Sequence, residues 1–89
     1  MKPVVLLFLV FFSTIVIGQQ LTYVPDNHFE QELIDLGYDD VLDDFVQTSL
    51  IDTITYLNLA FRGISDLTGI EDFVDLVVLD CQSNYLTAI

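Results

Sequence analysis

The apolar residues in the second half of the chain recur at a spacing that predicts short strands joined by tight turns. Six of them stand at strict intervals of three: Ile64, Leu67, Ile70, Phe73, Leu76 and Leu79. A continuous α-helix would spread such residues around its circumference, because its own repeat is 3.6 residues per turn. Segments with about three residues per turn explain the spacing better. We therefore expect strands near 56–59 and 78–81, with Gly63 and Gly69 where the chain turns between them.

A second pattern is an offset of 22 residues between two stretches of this region. Ile54, Leu57, Leu59, Arg62, Ile64 and Leu67 fall on Leu76, Leu79, Cys81, Asn84, Leu86 and Ile89. The later copy, LVVLDCQSNYLTAI, fits the pattern L-x-x-L-x-[LC]-x-x-N-x-L at every defined position. A period of about 20–29 residues with this pattern is typical of a solenoid built from leucine-rich repeats. One such coil cannot bury its own apolar face and needs neighbours on both sides.

The region before residue 51 does not follow this period. A short β-prone run, 21–24, ends at Pro25 and is followed by a helix predicted over 26–36. Asp26 or Asn27 caps that helix, Glu30 completes a capping box with Asn27, and Gly37 ends it. The pattern places Phe29, Leu33, Ile34 and Leu36 on its apolar stripe, with Glu30, Gln31, Glu32 and Asp35 facing water. Residues 38–46 fit either a second short helix or a turn followed by a strand that begins near Phe45.

The first 18 residues are typical of a secretory signal peptide. Lys2 precedes an apolar run, 4–17, and the small residue Gly18 leaves Gln19 as the expected new N-terminus. A membrane anchor is the competing interpretation, but spanning a bilayer takes about 20 apolar residues. This run is shorter and is interrupted by Ser13 and Thr14. We expect cleavage, no membrane span afterwards, and a secreted or cell-surface location.

The charge of the chain limits its partners. Without residues 1–18 it keeps all 14 acidic residues and one basic residue, Arg62, so its formal charge becomes −13. Binding to nucleic acid or to an anionic membrane needs clustered Lys and Arg, so neither is expected as a partner.

Residues 54–89 resemble the leucine-rich repeats of exported bacterial proteins, in particular the 22-residue type of internalin-like surface proteins. The stretch YVPDNHFEQELIDLGYDD followed by LNLAFRGISDLTGIEDF is similar to the start of many such proteins. The resemblance implies an α/β solenoid with an N-terminal helical cap and the first one to two coils of a longer array. The expected division is a signal peptide over 1–18, a cap over 19–50 and a truncated set of repeats over 51–89.

The same resemblance implies a candidate ligand face on the exposed strand positions of the concave side. These positions are Tyr56, Asn58, Ala60, Val78, Asp80 and Gln82. A scaffold role for two coils beside a cap is the alternative. Asn84 is expected to satisfy backbone groups in its turn. Its counterpart Arg62 cannot accept a hydrogen bond from an N–H group.

No catalytic residues, cofactors or metal ligands are assigned. The acidic pairs 39–40 and 43–44 could hold calcium, but they lack the EF-hand pattern, and a solvated charged face explains them more simply. His28 has no second His or Cys at ligand spacing. Cys81, the only cysteine, takes the apolar place of Leu59 and is expected to pack as a small hydrophobic residue.

The sequence thus predicts a non-catalytic extracellular module that recognises a protein or a carbohydrate, with a role such as adhesion. Two alternatives stay open: a small acidic, calcium-responsive exported protein, and the targeting module of a larger exported enzyme.

Overall fold

Four short strands form two separate sheets in residues 19–87, the part of the chain that the computed structural model describes. Strand β1 (Leu21–Tyr23) pairs antiparallel with β2 (Phe45–Gln47). Strand β3 (Tyr56–Asn58) pairs parallel with β4 (Val78–Asp80). Each strand has three residues, and a two-stranded sheet is marginally stable at best by itself. Both sheets therefore depend on packing against the rest of the chain.

Helix α1 (Asn27–Asp35) begins at a carboxylate cap and ends at a glycine. The Oδ1 atom of Asp26 accepts hydrogen bonds from the backbone N–H groups of His28, at 2.9 Å, and Phe29, at 3.0 Å. After the helix, Gly37 has a φ of 89° and donates its N–H to the carbonyl of Ile34. The helix predicted over 26–36 is confirmed, one residue shorter at each end.

A single apolar core joins the helix to both sheets. Its buried members are Val24, Phe29, Leu33, Val46, Ile51, Ile54, Leu57, Leu59, Ile64, Leu67 and Phe73. The rings of Phe29 and Phe73 stack with their centroids 6.0 Å apart, which fastens the helix to the second half of the chain. Burying one such large apolar side chain stabilises a fold by about 1.5–3 kcal/mol.

The predicted α/β solenoid is wrong. Residues 19–87 form one helix and two small sheets that are not joined to each other, with no repeated coil. Phe29 and Leu33 of the helix lie in the core that the helix shares with both sheets. The apolar positions spaced by three also differ in burial: Ile64 is fully buried, whereas Leu76 and Leu79 are only partly covered. Apolar side chains from both halves of the chain thus converge on one core instead of stacking coil upon coil.

Several local predictions are confirmed. Strands β3 and β4 lie where they were expected, and their register pairs Tyr56 with Val78, 22 residues later. Residues 38–46 contain a turn followed by strand β2, not a second helix. Short 3-10 helices cover Thr48–Leu50 and Ile70–Asp72.

Asn84 fastens the turn after β3 to the turn after β4. Its Oδ1 accepts the N–H groups of Arg62 and Ile64, both at 3.0 Å. Its Nδ2 donates to the carbonyls of Leu59, at 2.7 Å, and Cys81, at 2.9 Å. The amide satisfies backbone groups as expected, and it also supplies the acceptor that Arg62 cannot provide in the earlier turn.

The predicted signal peptide lies outside the described residues. Within residues 19–87, no helix is both long and apolar enough to cross a membrane. The predicted division of the chain near residue 50 stays a prediction.

Candidate functional site

The parallel pairing of β3 and β4 brings four of the six predicted ligand-face residues together. Tyr56 lies beside Val78 and Asn58 lies beside Asp80, because the two strands pair in register. Successive side chains of a strand point to opposite faces, so these four share one face and Leu57 points into the core. The exposed fraction is 57% for Tyr56 and 49% for Val78.

The other two predicted residues, Ala60 and Gln82, lie just beyond the ends of the strands. The side chain of Asn58 accepts the N–H of Ala60 at 3.0 Å, and that of Asp80 accepts the N–H of Gln82 at 3.3 Å. Ala60 is partly buried and Gln82 is exposed. The two segments stay paired after the strands end, because the N–H of Leu59 donates to the carbonyl of Asp80 at 2.7 Å and that of Phe61 donates to the carbonyl of Gln82 at 3.1 Å.

The helix adds residues to this surface that the sequence did not assign to it. A cleft of about 270 Å³ lies between the C-terminal half of α1 and β3. We name it the β3 cleft; its lining residues are Glu32, Leu36, Tyr38, Tyr56, Asn58 and Arg62. Two of the six, Tyr56 and Asn58, are predicted site residues. Val78, Asp80, Ala60 and Gln82 lie outside this lining.

One ion pair crosses the β3 cleft. The Nε atom of Arg62 lies 3.0 Å from Oε1 of Glu32. Glu32 is only 6% exposed, whereas about half of the Arg62 side chain is open to solvent. A buried carboxylate without a partner carries a large desolvation cost, and Arg62 is the partner that offsets this cost for Glu32. Because Nε carries this bond, the outer nitrogens of the guanidinium stay available toward the solvent side.

A second polar cluster lies on the other side of the helix, around Glu30. This side chain is fully buried, and its two oxygens accept the N–H groups of Asp43, at 3.2 Å, and Asp44, at 2.8 Å. Burial raises the pKa of Glu30 from its ordinary value of 4.5 to about 7, and the Asp39 carboxyl beside it adds to the rise. The two N–H donors act in the opposite direction. Through its hydrogen bonds to the N–H groups of Asp43 and Asp44, Glu30 ties the loop before β2 to the helix.

Glu30, Asp39 and Asp43 each offer one carboxylate oxygen, and the three oxygens lie within 4.8 Å of one another. The Oδ2 atom of Asp39 is buried without a hydrogen-bond partner among the described residues. One oxygen from each carboxylate makes three ligands, fewer than the six to eight that calcium takes. Solvent or additional groups would have to complete such a site.

Two predictions about the helix are wrong. Glu30 and Glu32 were expected to face water, and both are buried. The capping box is also wrong, because Glu30 accepts hydrogen bonds from the 43–44 loop and the cap is Asp26. One signal pointed to part of this: Arg62 is the only basic residue after residue 18, in a chain with 14 acidic residues, so a carboxylate partner is expected. Nothing in the sequence identifies Glu32 as that partner.

His28 and Cys81, the other two residues that the sequence singled out, lie outside both polar sites. His28 is exposed, and its Nδ1 lies 2.9 Å from the carbonyl oxygen of Gly63. Cys81 is a free thiol and is partly buried. Neither belongs to the β3 cleft or to the three-carboxylate cluster.

No protein-family model matches this chain, and a comparison with curated proteins found no match either. The resemblance to leucine-rich repeat proteins therefore stays a prediction.

Proposed function

We propose that this chain is an exported, non-catalytic recognition module that binds an extracellular protein or carbohydrate through the exposed face of β3 and β4. The observation that carries the proposal is the pairing of Tyr56 with Val78, two exposed and largely apolar side chains side by side on one sheet face. The adjoining β3 cleft gives that face a concave part with both aromatic and polar groups. Binding sites combine these features, since apolar walls supply affinity and a few polar groups fix orientation.

Export is supported by the layout of residues 1–18, with a charged start, an apolar run and a small residue before the expected cleavage point. The test is to express the full chain in a secreting host and to determine the mass and N-terminus of the product. A product in the medium that begins at Gln19 supports export. An intact chain that begins at Met1 and stays inside the cell contradicts it.

Recognition is tested with the purified chain on two panels, one of immobilised extracellular proteins and one of immobilised glycans. A reproducible ligand on either panel supports the proposal, provided that Tyr56→Ala weakens the binding. Tyr85→Ala is the matched control, because Tyr85 is also an exposed tyrosine but does not line the β3 cleft. Failure to bind anything on both panels, or equal losses in both variants, contradicts a site on this face.

A second candidate is a calcium-responsive exported protein. It is favoured by the three carboxylate oxygens of Glu30, Asp39 and Asp43, and by the Asp39 oxygen that is buried without a hydrogen-bond partner among residues 19–87. The test is the thermal unfolding temperature with calcium at about 1 mM, the range of weak extracellular calcium sites, with magnesium as control. A rise with calcium that Asp43→Asn abolishes supports this candidate. An unchanged unfolding temperature rejects it.

A further inference from the structure

The β3 cleft combines features that restrict the chemistry of its ligand. Its aromatic wall comes from Tyr56, which is mostly exposed, and Tyr38, which is partly buried. The faces of aromatic rings carry partial negative charge, so they attract the polarised C–H groups on one face of a saturated ring. The rings of Tyr56 and Tyr38 therefore suit a ligand that presents a face of C–H groups to the cleft.

The polar groups of the cleft are hydrogen-bond donors in fixed positions. The Oδ1 of Asn58 accepts the N–H of Ala60, and the Nδ2 of this exposed amide has no hydrogen-bond partner among residues 19–87. The guanidinium of Arg62 is held through Nε by Glu32, which leaves its outer N–H groups for a ligand. Hydroxyl oxygens are natural acceptors for both sets of donors.

Charge excludes other ligand classes. Arg62 and Glu32 neutralise each other inside the cleft, and the chain after residue 18 has a formal charge of −13. A ligand with several negative charges is repelled by that surface, and a cation meets the guanidinium at the cleft itself. A purely apolar ligand would cover the ion pair and the amide without satisfying them, which costs free energy. A neutral molecule with several hydroxyl groups avoids all three penalties.

The volume limits the ligand to a small size. The cleft measures about 270 Å³, just below the about 300–1,000 Å³ of pockets that enclose drug-sized molecules. It accommodates one saccharide ring and leaves the neighbouring rings of a chain on the exposed face beside Val78 and Asp80.

We propose that the β3 cleft binds one ring of a neutral saccharide, with Tyr56 against its C–H face and Asn58 and Arg62 donating to its hydroxyl groups. This inference rests on the proposed recognition function and names the ligand class for the same surface.

The test uses the purified chain labelled with ¹⁵N and titrated with glucose, galactose, mannose and N-acetylglucosamine. Amide chemical shifts are expected to change at the cleft residues with at least one of these sugars. Tyr56→Ala should weaken that binding about tenfold, and Tyr85→Ala should leave it unchanged. Asn58→Asp keeps the acceptor for the Ala60 N–H but removes the outward donors, so a loss of about fivefold is expected with the fold intact.

Three results overturn the inference. The first is the absence of shift changes with all four sugars while an extracellular protein binds, which leaves the recognition function standing. The second is tighter binding of glucuronate than of glucose, which contradicts neutrality. The third is saccharide binding that neither Tyr56→Ala nor Asn58→Asp weakens, which places the site elsewhere. If neither proteins nor saccharides bind, the recognition function itself fails.

Discussion

Asp26 joins the start of helix α1 to the backbone of Ser65, 39 residues later in the chain. Its Oδ2 accepts the N–H groups of Ser65, at 3.0 Å, and Asp66, at 3.1 Å, while its Oδ1 caps the helix. Partial burial acts to raise the pKa of Asp26, but the N–H donors of Ser65, Phe29, Asp66 and His28 together hold it below its ordinary value of 3.8. One carboxylate thus links the start of the helix to the turn at residues 65–66.

Replacing Asp26 by Ala should lower the free energy of unfolding by about 2–4 kcal/mol, because the helix loses its cap and the 65–66 turn loses its acceptor. Asp26→Asn should be intermediate, since its amide keeps one acceptor oxygen but places N–H donors opposite another set of donors. Urea unfolding at pH 7 measures both. Asp75→Asn is the control, because Asp75 is exposed and should change stability little. Equal effects in the Asp26→Asn and Asp75→Asn variants contradict the double role.

The stability of the chain should fall as the pH rises through the titration of Glu30. A carboxyl whose pKa is raised by folding holds its proton more tightly in the folded chain, so protonation stabilises the fold. This contribution is fully present below the ordinary value of 4.5 and is lost as the pH rises through about 7. The lowered pKa of Asp26 acts in another window, since its contribution is present above 3.8 and is lost only at more acidic pH.

The contribution of Glu30 is measured as the slope of the free energy of unfolding against pH, between pH 4.5 and 7. Glu30→Gln should flatten the slope, whatever its effect on absolute stability, because the titrating proton is gone. Asp39→Asn should shift the pH range of this stability loss to lower pH, since the Asp39 carboxyl contributes to the raised pKa of Glu30. Asp40→Asn is the control, because Asp40 is exposed and is not part of the three-carboxylate cluster. A slope that persists in Glu30→Gln assigns the pH dependence to another group.

The sequence predicted the local elements better than their assembly. Strands β3 and β4 and the role of Asn84 follow from patterns within 22 residues, because side-chain alternation and turn chemistry act over short distances. The solenoid was wrong because a repeat pattern does not reveal what covers its apolar side. Here Phe29 and Leu33 of the helix cover that side, and no periodicity connects them to Ile64 or Phe73.

The candidate site was half predicted for the same reason. The face residues Tyr56 and Val78 follow from strand alternation, whereas the wall of the cleft comes from a helix more than 20 residues earlier in the chain. Glu32 has the sequence signature of a solvent-facing helix residue, and only its contact with Arg62 makes its burial tolerable. Whether a polar helix residue is buried depends on contacts with distant segments, and such contacts leave no periodic pattern in the sequence.

Gly69 is required by both its backbone angle and its neighbours. Its φ is 105°, and a Cβ atom placed there would lie 2.6 Å from the carbonyl oxygen of Tyr23. Gly37 has a comparable φ of 89° but nothing within 4 Å of such an atom. Gly37→Ala should therefore cost about 1–2 kcal/mol for the strained backbone alone. Gly69→Ala should cost about 2–3 kcal/mol more, because strand β1 must also move. Thermal unfolding of both variants measures the difference, and equal losses contradict a close contact between Gly69 and β1.

Strand β4 has an unpaired edge with exposed apolar side chains beside it. Among residues 19–87, β3 is its only strand partner. The neighbouring Val74 and Val77 are largely exposed, with Val77 at 80%. An open strand edge offers unpaired N–H and C=O groups to another chain, and apolar side chains strengthen that contact. The strong negative charge of the chain opposes it, and salt screens this repulsion.

We therefore expect the purified chain to associate weakly, and more at high salt than at low salt. Sedimentation velocity should show a weight-average mass that rises with protein concentration. Val77→Lys should keep the chain monomeric over the same range, because it places a charge beside the open edge of β4. Val41→Lys is the matched control: it adds the same charge at a valine that is 53% exposed and lies in the loop before β2. If both lysine variants suppress association equally, net charge and not the β4 edge controls it, and a wild-type chain that stays monomeric at high salt contradicts the prediction outright.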